Sequence, residues 1–310
     1  MMTIPIVDGG RLRPEGACRL GARRRAPLRA LAGRRWIILA TIIASAHLGA
    51  ARSACAQAAP PPTRWKSNEM NRPRPTEITP PAQALPVPAP SDAIVLFDGR
   101  DLSQWEFVRG GAADWKVERG YMEVVNGPGA IDPKWPGTGS IRTKESFGDM
   151  QLHVEWASPN PPRGVAQDRG NSGVYLMGRF EVQVLDSYQR ADTYADGQAG
   201  AIYGQYPPLA NPTRPPGEWQ AYDIFFRAPR YTADGTLTEL PRVTVILNGI
   251  VVQNNEVLRG ARSAQNGAPP VTQGPLQLQE HHHPVRYRNI WVRRIPERPE
   301  PGPDYVPSPS

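Results

Sequence analysis

Glu181 and Gln183 stand two residues apart in the stretch RGNSGVYLMGRFEVQVLD, residues 169–186, interleaved with Phe180, Val182 and Val184. That alternation is the period of a strand, so a carboxylate and an amide share one face and three apolar side chains the other. Such a face is either solvated or the floor of a polar cleft. In a cleft, Glu181 is a rigidly placed general base or a ligand for hydroxyl groups. A second run, Gln279-Glu280-His281-His282-His283, supplies an imidazole that titrates near neutral pH. His281 is therefore the second general acid–base candidate, and Glu280 can orient its ring. Gln183 and Gln279 each offer donors and an acceptor to hydroxyls. Asn171 and Asp186 flank the hairpin as candidate binding groups. The histidines also admit a metal reading: His281 and His283 on one face, with Glu181, could take a divalent ion, but Pro284 disturbs that geometry. No cofactor is required by this chemistry; a divalent metal stays open.

The elements that must position these groups read as strands. Ile94-Val95-Leu96-Phe97, Trp115 to Glu118, Tyr121 to Val125, Ser140 to Thr143 and Met150 to Trp156 precede the hairpin. Within Met150 to Trp156, Leu152, Val154 and Trp156 share a face opposite His153 and Glu155. Trp219 to Phe226, Arg242 to Leu247, Ile250 to Gln253, Leu276 to Gln279 and Tyr287 to Arg293 follow. Arg119-Gly120 and Asn248-Gly249 mark hairpin turns, and the hairpin at 169–186 turns at Met177-Gly178-Arg179. No segment carries a helical period over eleven or more residues. The pattern predicts an all-β fold, a sandwich or jelly roll in one domain, residues 92–296. The long stretch 187–216 carries Tyr188, Tyr194, Tyr203 and Tyr206, which suit stacking on sugar rings or pack the loop down.

The chain of 310 residues carries a formal charge of +7, but residues 1–56, with ten arginines and only Asp8 and Glu15 as acids, hold +8 of it, leaving −1 for the rest. A near-neutral remainder gives no footprint for nucleic acid. Arg34-Arg35 precede a short apolar core and Ala54-Cys55-Ala56, the layout of a cleaved secretory signal over residues 1–56, with a twin-arginine variant open. The core is too short for a membrane span, so the mature chain is expected without one, in the periplasm or secreted. Cys18 and Cys55 leave with that leader, which excludes disulfides and thiolate chemistry. Residues 57–91 are dense in proline and read as a disordered, extended linker, and 297–310 as a disordered tail.

The ordered set Leu96-Phe97-Asp98-Gly99, Asn171-Ser172-Gly173-Val174-Tyr175-Leu176, Phe180 to Asp186, Gly200-Ala201-Ile202-Tyr203-Gly204, Gly217-Glu218-Trp219-Gln220, Leu247-Asn248-Gly249, Gly274 to His281 and Tyr287-Arg288-Asn289-Ile290 resembles the 3-keto-disaccharide hydrolase domain family. Glu280 departs from the family's usual aspartate, and His282-His283 from a glycine and a variable residue. The resemblance implies a concanavalin A-like jelly roll of two antiparallel sheets with its site on a concave face. It also implies glycosides already oxidised at C3, and hence a sugar 3-dehydrogenase upstream as a pathway partner. On such a substrate a base removes the acidified C2 proton, the enolate expels the glycosidic oxygen, and water adds back. Glu181, His281 and Arg288 are then the expected catalytic set, with Arg288 at the enolate. Asn171, Gln183, Asp186, Tyr203, Trp219, Gln279 and Glu280 are the expected substrate contacts. Two other readings stand beside this one. A laminarinase-type retaining hydrolase would place acids at i, i+2 and i+5, where this chain has Glu181, Gln183 and Asp186. The other is a non-catalytic carbohydrate-binding module.

Overall fold

The computed structural model describes residues 65–124, 139–260 and 271–297. The expected leader and, from residue 298, the tail lie outside them. The described residues form seventeen strands and one short 3-10 turn, Ala195–Gly197. In chain order the strands are β1 Thr76–Glu77, β2 Ile94–Phe97, β3 Trp105–Phe107, β4 Lys116–Glu118, β5 Tyr121–Glu123 and β6 Ile141–Phe147. There follow β7 Met150–Ala157, β8 Ser172–Leu176, β9 Phe180–Val184, β10 Ala210–Asn211, β11 Gln220–Arg227 and β12 Arg230–Tyr231. The last five are β13 Leu237–Glu239, β14 Arg242–Leu247, β15 Ile250–Val257, β16 Gly274–Leu278 and β17 Arg286–Arg294. No helix among the described residues is long and apolar enough to cross a membrane.

Two antiparallel sheets dominate. The larger has eight strands in the order β15-β14-β11-β7-β17-β5-β4, with β2 also paired to β17; the smaller has five, β3-β6-β16-β8-β9. Alternation puts Leu152, Val154 and Trp156 of β7, Tyr222, Ile224 and Phe226 of β11, and Phe180, Val182 and Val184 of β9 into one buried cluster between the sheets. Phe180 meets Phe226 with ring centroids 6.3 Å apart, and the Tyr222 hydroxyl donates to the Gln183 carbonyl at 2.6 Å. The turns follow from local chemistry. Arg119-Gly120 and Asn248-Gly249 have positive φ at both positions, which two-residue hairpins require. Met177 and Gly178 do the same in the three-residue β8–β9 connection.

Residues 65–91 differ from the free linker that their proline content suggests. They form a strap held by polar anchors rather than apolar burial. β1 pairs in parallel with β10, Arg72 and Arg74 donate to the carbonyls of Gln205 and Thr193, and Arg214 donates to that of Pro81. Further on, the Val87 N–H donates to Glu155 Oε1 at 2.9 Å. Composition alone misses such anchors, because it registers only what can be buried in a core.

Candidate functional site

The β8–β9 hairpin and the end of β16 build the site. β9 pairs with β8 so that Tyr175 lies opposite Glu181 and Gly173 opposite Gln183, while Gln277 lies opposite Tyr175 on the other side of β8. The Gln279 N–H donates to the Gly173 carbonyl at 2.9 Å. Gly173 is thus a bare spot between the side chains of Gln183 and Gln279. The Glu181 carboxylate leans over it. Tyr175 Oη accepts from Gln279 Nε2 at 3.0 Å.

The stretch 187–216 supplies the far wall. Its residues 200–203 run along β9: Gly200 N–H donates to Gln183 O at 3.0 Å, Gln183 N–H to Ala201 O at 2.9 Å, and Tyr203 N–H to Glu181 O at 3.1 Å. Tyr203 is thereby fixed beside Glu181, and its hydroxyl bonds that of Tyr194. The resulting cleft of about 350 Å³ is lined by Ser67, Tyr175, Arg179, Glu181, Tyr203 and Gln277, together with Gly178, Gly204, Gln205 and Gly260. Larger hollows lie elsewhere, between Glu77 and Tyr188 and around the Asp149–Arg230 pair.

An amide relay backs the floor. Gln183 Nε2 donates to Asn171 Oδ1 and Gln167 Oε1, both at 3.2 Å, and Asn171 Nδ2 to the Gln167 carbonyl at 2.7 Å. Asn171 is a positioning residue by this geometry. Gln183 Oε1, Gln279 Oε1 and His281 Nδ1 are buried without a protein hydrogen-bond partner. Buried polar atoms are almost always paired, so acceptors left open beside a carboxylate are where ligand hydroxyls would bond. His281 lies two residues beyond Gln279, and its ring is parallel to that of His283 at 6.3 Å. His283 Nε2 contacts Asp168 Oδ1 at 3.1 Å, and burial, only partly offset by Asp168, lowers its pKa. Among the described residues no three His, Cys, Asp or Glu side chains converge as metal ligands.

Four expected contacts stand differently. Glu280 is buried; its Oε1 accepts from the His282 N–H at 2.7 Å, while its Oε2 has no protein hydrogen-bond partner. Asp186 accepts from Arg169 Nε at 2.7 Å; burial raises its pKa against the opposing pull of that guanidinium. The third acid of a retaining-hydrolase spacing is therefore ion-paired through Oδ2, while its Oδ1 is buried without a protein hydrogen-bond partner. Arg288 is on the other sheet altogether. It alternates with the core-facing Tyr287, so it emerges on the outer face of the eight-stranded sheet, where its Nε donates to Glu155 Oε2 at 2.7 Å. Trp219 goes with it, its ring centroid 4.1 Å from the Arg288 guanidinium. Arg288, expected at the enolate beside Glu181, thus lies on a different sheet from β9: alternation gives the face, not the sheet.

That outer face holds a cluster to which the sequence reading gave no role. His153 and Glu155 are fully buried beneath the strap. His153 Nδ1 lies 2.8 Å from Asp223 Oδ1 and Nε2 3.4 Å from Glu155 Oε1, and the ring stacks on Trp291 at 5.0 Å. Burial opposes protonation of His153, but the two carboxylates outweigh it and its pKa is raised. Glu155 is likewise opposed by burial, yet His153, Asn289, Arg288 and the Val87 N–H hold its pKa down. Tyr175, Gln277, Arg179 and Ser67 line the cleft and were missed. Tyr175 could have been found by counting pairs back from the turn at Met177-Gly178-Arg179.

A family model described as a 3-keto-alpha-glucoside-1,2-lyase-like domain matches residues 92–293. A crystal structure of a candidate glycosyl hydrolase from Parabacteroides distasonis is 45% identical, covers 73% of this chain and 94% of its own, and superposes with a TM-score of 0.59. A second candidate glycosyl hydrolase from that organism is 22% identical over 66% of this chain and 94% of its own, with a TM-score of 0.48. Comparison with functionally curated proteins returns no significant match. With the model running from Asp92 to Arg293, the chain belongs to the 3-keto-alpha-glucoside-1,2-lyase-like domain family.

Proposed function

We propose that this protein is a carbohydrate-active enzyme that cleaves 3-keto glycosides, on a concanavalin A-like jelly roll, by elimination across C1 and C2 followed by hydration. The observation that carries this reading is the Glu181 carboxylate poised over bare Gly173, with open amide acceptors at Gln183 and Gln279 beside it. The ketone acidifies the C2 proton, and Glu181 takes it. The electron pair left on C2 forms the C1–C2 double bond as the C1–oxygen bond breaks. His281 delivers a proton to the departing oxygen. Amide N–H and tyrosyl O–H donors of the cleft face stabilise the enolate oxygen, the task first expected of Arg288. Water then adds across the double bond and completes a net hydrolysis. An amide at Gln183, where a double displacement at C1 would want a second carboxylate, also suits this chemistry better.

The test is turnover of a 3-keto-disaccharide by the purified protein, followed by sugar release and the transient absorbance of the conjugated enone. Glu181→Gln is expected to lower kcat by about 10²–10⁴-fold. Equal turnover by Glu181→Gln, or cleavage of the unoxidised disaccharide alone, would overturn the proposal.

A further inference from the structure

We infer that residues 65–74, which precede the family domain, are a working wall of the Glu181 cleft and limit it to short glycosides of mono- or disaccharide size. The inference rests on the function proposed above. The family match begins at residue 92, so this wall lies outside the residues that the family model matches. Ser67 lines the cleft with Glu181, Tyr175 and Tyr203. It rests on Gly204, where a Cβ would come 2.6 Å from Ser67 Oγ, so a side chain there would push the Ser67 hydroxyl aside. The hydroxyl is exposed and donates to Asn68 Oδ1 at 3.2 Å, which leaves its oxygen able to accept from a sugar hydroxyl.

The wall is fastened at several points. The Asn68 N–H donates to Asp196 Oδ2 at 3.0 Å, and Asp196 is fully buried. Arg72 lies 3.5 Å from the same oxygen and donates to the Gln205 carbonyl at 3.1 Å. Arg74 donates to the Thr193 carbonyl at 3.0 Å. These anchors all sit on the 187–216 stretch that carries Tyr203, so strap and far wall form one unit. The volume of about 350 Å³ is at the low end of the ~300–1,000 Å³ usual for small-molecule sites. A longer saccharide would have to pass Ser67. Because polar contacts, not core burial, hold this segment, it can be loosened with the sandwich intact.

Two full-chain variants test this, an Arg72→Ala/Arg74→Ala double variant that loosens the strap and Ser67→Trp that fills the cleft. Each is assayed on a 3-keto-disaccharide and a 3-keto-tetrasaccharide, with hydrogen exchange over residues 65–74 reporting release. The wild type is expected to prefer the disaccharide. The loosened variant should raise kcat/KM for the tetrasaccharide roughly tenfold relative to that for the disaccharide. Ser67→Trp should raise KM for the disaccharide roughly tenfold with little change in kcat. An unchanged substrate ratio despite release, unchanged KM in Ser67→Trp, or equal wild-type use of both sugars overturns the inference. If the wild type turns over neither sugar, the proposed function fails instead. Equilibrium binding of the same two saccharides to the same variants then decides the wall by the same ratio.

Discussion

The Glu181 carboxylate occupies the space that a side chain at Gly173 would take: a Cβ there falls 2.5 Å from Glu181 Oε1 and 3.1 Å from its Cγ. Gly173 sits in a regular strand without positive φ, so alanine suits its backbone and the carboxylate must yield. Gly173→Ala is expected to keep stability within about 1 kcal/mol. It should lower kcat/KM by about 10²-fold, the usual effect of a small misplacement of a reacting group. Paired unfolding curves and steady-state kinetics check this; undiminished activity would show that the position of Glu181 does not matter.

Arg288 separates the catalytic expectation from the structural one. Arg288→Ala removes a partner from the buried Glu155 carboxylate and packing from Trp219. A loss of about 3–5 kcal/mol is expected by urea unfolding, as for a buried pair broken from one side. At temperatures where the variant is folded, kcat on a 3-keto-disaccharide should stay within about threefold of wild type. A kcat collapse in the folded variant would return Arg288 to the active site.

The His153–Glu155–Asp223 cluster gives stability a pH dependence whose sign is fixed. His153 has a raised pKa, so its contribution is complete below the ordinary value of 6.5 and is lost as pH rises through the raised one. Glu155 has a lowered pKa, so its contribution is present above 4.5 and is lost as pH falls through the lowered one. Stability from this cluster is greatest between the two. Unfolding free energy measured from pH 5 to pH 9 should decline on the alkaline side, and His153→Gln should flatten that limb. The same slope in both proteins would assign the titration elsewhere.

A hydroxyl chain crosses the sandwich beneath the cleft. The buried Tyr287 hydroxyl donates to Ser172 Oγ at 2.6 Å, and Ser172 Oγ donates to the Gln279 carbonyl at 2.6 Å. Tyr287→Phe is expected to cost about 1–3 kcal/mol, since it strands a buried serine acceptor. It should also raise KM more than it lowers kcat, because Gln279 is placed to bind rather than to react. Calorimetric melting with kinetics on the same preparation separates the two effects.

Much of the floor of the site was legible because strand alternation is local. Phe180, Val182 and Val184 declare one face and so deliver Glu181 and Gln183 to the other; the same holds for His153 and Glu155 on β7. Alternation does not say which sheet a strand joins, and that is why Arg288 and Trp219 were placed beside Glu181 when the core lies between them. Nor does composition reveal a strap. Pro73, Pro75 and their neighbours read as unpacked chain, while what holds them is a set of polar anchors, among them Asp196, a buried carboxylate more than a hundred residues away.

The pairing of residues 200–203 with β9 also bears on how copies of this protein behave toward one another. β9 ends the five-stranded sheet, and an open strand there would offer its N–H and C=O groups to any extended chain. Gly200, Ala201 and Tyr203 occupy those groups from within the same molecule. The loop that helps shape the cleft thus also blocks strand addition at this border, and changes that detach it would favour aggregation before they unfold the core.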